Sequence, residues 1–158
     1  MRAERFQHFC ITGLTAPDIK AVDAWSEPGS RPCGLEVTFQ NGSRLWVGIT
    51  TGLAPGERHD QPETPVSGDR LPTVPLPELY EGDRITSSRA EQFLASCIGN
   101  VGSDEIARVY CYTEASPSAH PGVGVECHSG ARVFLPFVHT ARPGQDRGRE
   151  AYRLQAEF

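Results

Sequence analysis

A chain of 158 residues with 38% apolar content, 16 glycines and 13 prolines suits one compact domain, or two small halves sharing a core, with many turns. Its formal net charge of −5 argues against a mainly electrostatic grip on nucleic acid, which shows as a basic excess. No stretch approaches a membrane span and residues 1–6 lack a signal-peptide apolar run, so a cytoplasmic protein with no membrane partner is expected. Arginine is used almost to the exclusion of lysine, with Lys20 alone, which fits a high-GC bacterial genome.

In chain order, Ala3, Phe6, Phe9 and Cys10 recur at helical steps and predict a short amphipathic helix. A strand follows over 18–26. Leu35, Val37, Phe39, Leu45, Val47 and Ile49 then alternate with polar neighbours about Asn41-Gly42, a hairpin signal in which both turn residues reach positive φ. Residues 57–86 are rich in proline and poor in apolar residues, as a linker or long loop is, with Leu76, Leu79 and Tyr80 available to pack on the body.

The same order then returns. Ala90, Phe93, Leu94, Cys97 and Ile98 predict a second helix, with Ser87 or Ser88 as N-cap and Glu91 at capping-box distance from Ser88. A strand over 105–113 follows, then a hairpin whose Val123, Val125, Cys127, Val133, Leu135 and Phe137 alternate about Ser129-Gly130. Pro136 marks that last strand as an edge or a bulge. Tyr152 and Leu154 alternate near the C-terminus and favour a seventh strand over a short helix.

The resemblance extends to residue identity. Residues 2–11, RAERFQHFCI, return as 89–98, RAEQFLASCI, and GLEVTFQNGSRLWV (34–47) lies over GVGVECHSGARVFL (122–135). One extra residue falls in the loop between Glu114 and Gly122, where insertion is tolerated. The expected fold is therefore α+β: a tandem duplication of an α-β-β-β unit, with antiparallel sheets and pseudo-twofold symmetry. One domain would comprise repeat 1 (2–56), the linker (57–86) and repeat 2 (87–158).

Corresponding positions also organise the candidate sites. Trp46 and Phe134 correspond, as do Trp25 and Tyr112, and Tyr110 shares the parity of Tyr112. All lie out of phase with the core face of their strands. They either fill a second core layer, form a contact face for a protein partner or second subunit, or offer a stacking platform. Arg44 and Arg132 adjoin the aromatics in both copies, as an anion or protein contact or as solvated arginines paired with Glu36 and Glu126. Trp25, Arg44, Trp46, Tyr110, Tyr112, Arg132 and Phe134 together form the expected interaction face.

An alternative ligand site draws on His120, His128 and His139 in the second copy. Cys127 and His128 alternate to opposite faces, so no metal site is expected there. The five cysteines (Cys10, Cys33, Cys97, Cys111, Cys127) are odd in number and contain no Cys-x-x-Cys, so reduced thiols are expected. Glu27 and Glu114 correspond at strand ends and read as solvated. No Gly-x-Ser-x-Gly elbow or phosphate loop is present, no catalytic set converges, and no cofactor is expected.

The expected function is a non-catalytic cytoplasmic interaction or adaptor module of phage or mobile-element origin, with a protein partner or self-association. The alternatives are small-ligand or metal binding, with or without catalysis, in repeat 2, and nucleic-acid binding through the paired arginines and aromatics.

Overall fold

The computed structural model describes residues 1–117 and 119–158, with Ala115 by its backbone alone. Helix α1 (Ala3–Gly13) buries Phe6 and Cys10, one turn apart. Its end is closed by the Leu14 N–H donating to the Cys10 carbonyl at 2.9 Å. Strands β1 (Ile19–Glu27), β2 (Arg31–Phe39), β3 (Arg44–Gly48) and β4 (Thr50–Gly52) follow. Helix α2 (Ser87–Asn100) opens the second half, then β5 (Ile106–Cys111), a one-turn helix α3 (Tyr112–Ala115), β6 (Gly122–Cys127) and β7 (Arg132–Ala141).

The seven strands form one antiparallel sheet in the order β1-β2-β3-β7-β6-β5, with β4 pairing β7 off that path. Three strands of the first half therefore meet three of the second across β3 and β7, where Arg44 faces Ala141 and Trp46 faces His139. One continuous cluster of buried side chains, from Phe6 and Cys10 through Leu35 and Val37 to Phe93, Ile98, Val125 and Leu135, runs through both halves. Among the described residues no helix is long and apolar enough to cross a membrane.

Both hairpins differ from the expected two-residue turn. The Gly42 N–H donates to the Phe39 carbonyl at 2.9 Å and the Phe39 N–H to the Ser43 carbonyl at 2.9 Å. The second hairpin repeats this through Gly130, Cys127 and Ala131. Only the glycines turn to positive φ, +90° at Gly42 and +86° at Gly130, so each loop is a type I turn closed by a glycine bulge. Asn41 and Ser129 brace the turns, their side-chain oxygens accepting from Ser43 N at 2.9 Å and Ala131 N at 3.3 Å.

Three further expectations change. The N-cap of α2 is Thr86, whose hydroxyl accepts from Arg89 N at 3.3 Å, because Ser87 and Ser88 are already inside the helix. The strand expected to end at Thr113 stops at Cys111 and turns into α3. The seventh strand is β4, directly after β3, and not the C-terminal segment, which among the described residues forms a single β-bridge, Glu157 with Thr86. Phe158 is instead buried against Phe39, its backbone bonded both ways to Ile85. Of the two alternatives for Pro136, the edge is excluded, since β7 is central, and the bulge is found: just after it the β3 pairing is irregular, Trp46 facing His139 but Val47 facing Phe137. The N–H that Pro136 lacks falls where β7 passes from pairing β3, ending at Phe137, to pairing β4, beginning at Phe134.

The proline-rich segment is anchored to the body rather than free. Leu79 and Ile85 are buried, and Leu76 and Tyr80 pack at the core's margin. On the other side Arg5 forks between Glu63 at 2.7 Å and Glu105 at 2.6 Å, tying the loop, α1 and the approach to β5 together.

Candidate functional site

The seven residues expected to share one open face divide into two environments. Trp25 and Trp46 are buried with Val138 and Ala141 in a second, smaller core on the side of the sheet away from the helices. Residues 142–152 cover them. Arg147 lies over the Trp25 ring at 5.5 Å, Asp146 meets Arg44 at 3.7 Å, and Ala151 packs on the cluster. The Tyr152 N–H closes the strap on the Val138 carbonyl at 2.8 Å, and Arg31 stacks on the Tyr152 ring at 4.9 Å. Arg44 is occupied as well: it pairs with Glu36 at 3.2 Å and stacks on Trp46, whose indole N–H donates to the same Glu36 at 3.1 Å.

In the second half the corresponding side stays half-exposed. Tyr110 lies flat over Gly124, so close that a Cβ there would fall 2.1 Å from the ring, and Arg108 stacks on that ring at 5.0 Å. Tyr112 covers Gly122 in the same way, and its phenol oxygen accepts from Leu135 N at 3.1 Å. Burial pushes the Tyr112 phenol up to about 12. Phe134 is half-buried opposite Thr50, and Arg132 is exposed. Trp25 covers Gly34 in the first half. In each half, then, a ring fills the place left by a missing side chain on the neighbouring strand.

The three histidines do not meet. His120 Nε2 lies 2.5 Å from the Phe137 carbonyl with its ring against Tyr152, whereas His128 Nε2 lies 3.1 Å from the Asp69 carbonyl. His139 is buried between Trp25 and Trp46, at 6.0 and 6.4 Å, and among the described residues its Nε2 has no hydrogen-bond partner. Burial first, then Arg147, lower its pKa. Among the described residues no three His, Cys, Asp or Glu side chains gather as metal ligands. All five cysteines are buried free thiols. Burial pushes Cys97 and Cys111 up to about 12 and raises Cys10, Cys33 and Cys127, so they pack as small apolar groups and are not thiolates at neutral pH.

Glu91, expected to cap its own helix, points inward and is fully buried. Its Oε1 accepts from the backbone N–H groups of Gly122 at 2.8 Å, Tyr112 at 3.0 Å and Thr113 at 3.3 Å, and its Oε2 from the Thr113 hydroxyl. Backbone donors and the start of α3 thus balance its charge without a cation. This explains why β5 ends early: the carboxylate turns residues 112 and 113 into a cap. The corresponding Glu4 is exposed.

The sequence reading missed a concavity. A groove of about 540 Å³ lies between α2, β5 and the proline-rich segment. Gln92, Ala95, Ser96 and Gly99 recur at three- and four-residue steps along its helix wall. Arg108, Val109, Tyr110 and Cys111 form the strand wall, with Glu114 beyond their end. Leu71, Val74 and three prolines form the third wall. That wall is fixed by Asn100, whose side chain donates to the Val74 carbonyl and accepts from its N–H, both at 2.8 Å. The run of small residues at 95, 96 and 99 on the polar side of α2 was the available signal, since a solvated helix face has no need of it.

No known protein family, curated protein or solved structure matches the chain.

Proposed function

We propose that this chain is a non-catalytic cytoplasmic interaction module, a fused duplication in which the first half closes on itself and the second receives a protein partner. The observation that carries this reading is the three-walled groove beside β5, large enough to enclose several side chains and bordered by Arg108 and by Tyr110, the one residue of the expected contact face that lines it. The duplication draws support from the strand order, three strands of one half meeting three of the other, and from the matched glycine-bulge turns. Thiols held protonated by burial fit a reducing compartment and speak against cysteine nucleophiles.

The test is to fill the groove. Ser96→Trp places an indole into it from a half-buried position on α2, and an unchanged urea midpoint checks that the fold is kept. Wild type and variant are cross-linked in host extract and the cross-linked peptides mapped. Cross-links concentrated on 92–100 and 108–114 and lost in the variant support the reading; the same cross-links from both proteins would sink it. A second reading, a small ligand in the same groove, is favoured by the groove's volume, which lies in the range of small-molecule sites. A native mass spectrum of untagged protein carrying a discrete added mass would select it.

A further inference from the structure

We propose that the partner binds as an extended segment that adds a strand to the free edge of β5, with an acidic side chain against Arg108 and a basic one against Glu114. This rests on the interaction reading above and specifies its partner. β5 ends the strand order and pairs only β6. Among the described residues no backbone hydrogen bond joins 106–111 to any other element, so its outward N–H and C=O groups form an unused template. Consecutive residues 108–111 all line the groove. Side chains of a strand alternate between faces, so what the groove shares with all four is the edge of the backbone itself.

The surroundings fit a backbone in that position. Ala95, Ser96 and Gly99 are small enough for a main chain to approach α2, while Gln92 and Ser96 supply polar groups. The opposite wall cannot occupy the edge itself, because Pro72, Pro75 and Pro77 lack the N–H groups a ladder needs. The pairing of β5 with β6 is irregular between Ile106 and Arg108 and regular from 108 to 111, leaving roughly 13 Å of straight edge. Of the other edges, β4 is only three residues long, and β1 is irregular at both ends, between Ile19 and Ala21 and between Trp25 and Glu27, and does not line this groove.

Charge selects the sequence of the segment. Arg108 is held over Tyr110, and Glu114 meets the Cys111 thiol. Among the described residues neither has a salt-bridge partner, whereas Arg5, Arg31, Arg44, Arg84 and Arg89 all do. A cation at one end of the edge and an anion at the other favour a segment of opposite pattern and fix its direction.

The probes are two capped peptides, Lys-Val-Thr-Val-Asp and its reverse, and versions of each N-methylated at both the second and third residues, so that an inward-facing N–H is lost in either register. Binding to the full chain is followed by amide shifts and amide exchange. One unmodified peptide is expected to shift 108–111 and 92–99 and to slow exchange on β5. N-methylation, which leaves every side chain in place, should weaken it by about tenfold or more. Arg108→Glu should weaken it comparably, and a peptide with Lys in place of Asp should restore binding to that variant. Equal binding of the N-methylated peptide, or binding without slowed exchange on β5, overturns strand addition while leaving the groove as a contact site. No binding of either peptide also overturns it. The Ser96→Trp cross-linking result judges the interaction reading independently.

Discussion

The two halves place aromatic rings at corresponding positions and use them differently. In the first, Trp25 and Trp46 are sealed beneath residues 142–152 and β1 runs for nine residues. In the second, Tyr112 and Phe134 stay half-exposed, with Tyr110 beside Tyr112, and β5 stops after six residues where Glu91 meets the start of α3. The difference is local. Glu4 and Glu91 occupy equivalent places on their helices, yet only Glu91 is buried and draws backbone N–H groups of the neighbouring strand and turn to itself. One carboxylate pointing inward accompanies the shorter strand: its bonds to Tyr112, Thr113 and Gly122 lie where β5 gives way to α3.

The sharpest way to break this comparison is to remove both carboxylates. Glu91→Ala strands three backbone donors and a hydroxyl, and should cost roughly 3–5 kcal/mol in urea unfolding. Glu4→Ala, on an exposed surface, should stay within about 0.5 kcal/mol. Equal costs would mean that Glu91 does not organise the second half.

Next in size come the rings. Trp46→Ala opens a cavity in a covered cluster and should cost roughly 3–4 kcal/mol, whereas Tyr110→Ala on the half-exposed side should cost about 1–2 kcal/mol. Smaller still is a pair of added methyls. At Gly34 a Cβ would lie 2.6 Å from the sealed Trp25 ring and equally close to the Val47 carbonyl, so Gly34→Ala should cost roughly 2–3 kcal/mol. At Gly124 the three nearest atoms all belong to the half-exposed Tyr110 ring, which can swing toward solvent, and Gly124→Ala should cost about 1 kcal/mol.

The smallest effect is a pH dependence confined to the sealed side. Burial disfavours charged His139 in the folded state, so its folded pKa lies below the unfolded value of about 6.5. The unfolded state therefore binds more protons in that window. Stability is complete above about pH 6.5 and declines as pH falls toward the folded pKa. Unfolding measured from pH 7.5 to 5.5 should show this slope in wild type and lose it in His139→Phe. Glu63, held at about 2 chiefly by its hydrogen bonds to Arg5, acts in a separate window: its contribution is present above about pH 4.5 and lost as pH falls toward 2.

What was legible in the sequence was what has a period. The helical steps of Phe6 and Cys10, or of Phe93, Cys97 and Ile98, and the alternation of Val123, Val125 and Cys127 place the core on one face of the sheet. The turn glycines were legible too, although not that their neighbours stay at negative φ. The features that decide the site have no period. The strap that hides Trp25 and Trp46 is held by Arg147, Asp146 and a backbone bond from Tyr152, contacts that no local pattern announces. The groove's third wall comes from a segment that reads as linker, fixed through one side chain, Asn100. Glu91 sat at capping-box spacing, and its choice of neighbouring backbone over its own helix is a tertiary outcome.

The central claim, that the second half keeps an open edge for a partner while the first is sealed, is tested most directly by amide exchange on the free chain and on the cross-linked complex. The account predicts that residues 108–111 exchange faster than 123–127 in the free chain and slow markedly in the complex. Exchange on β1 and on residues 142–152 should stay unchanged. Protection arising on β1 or on the strap, with β5 unaltered, would contradict it.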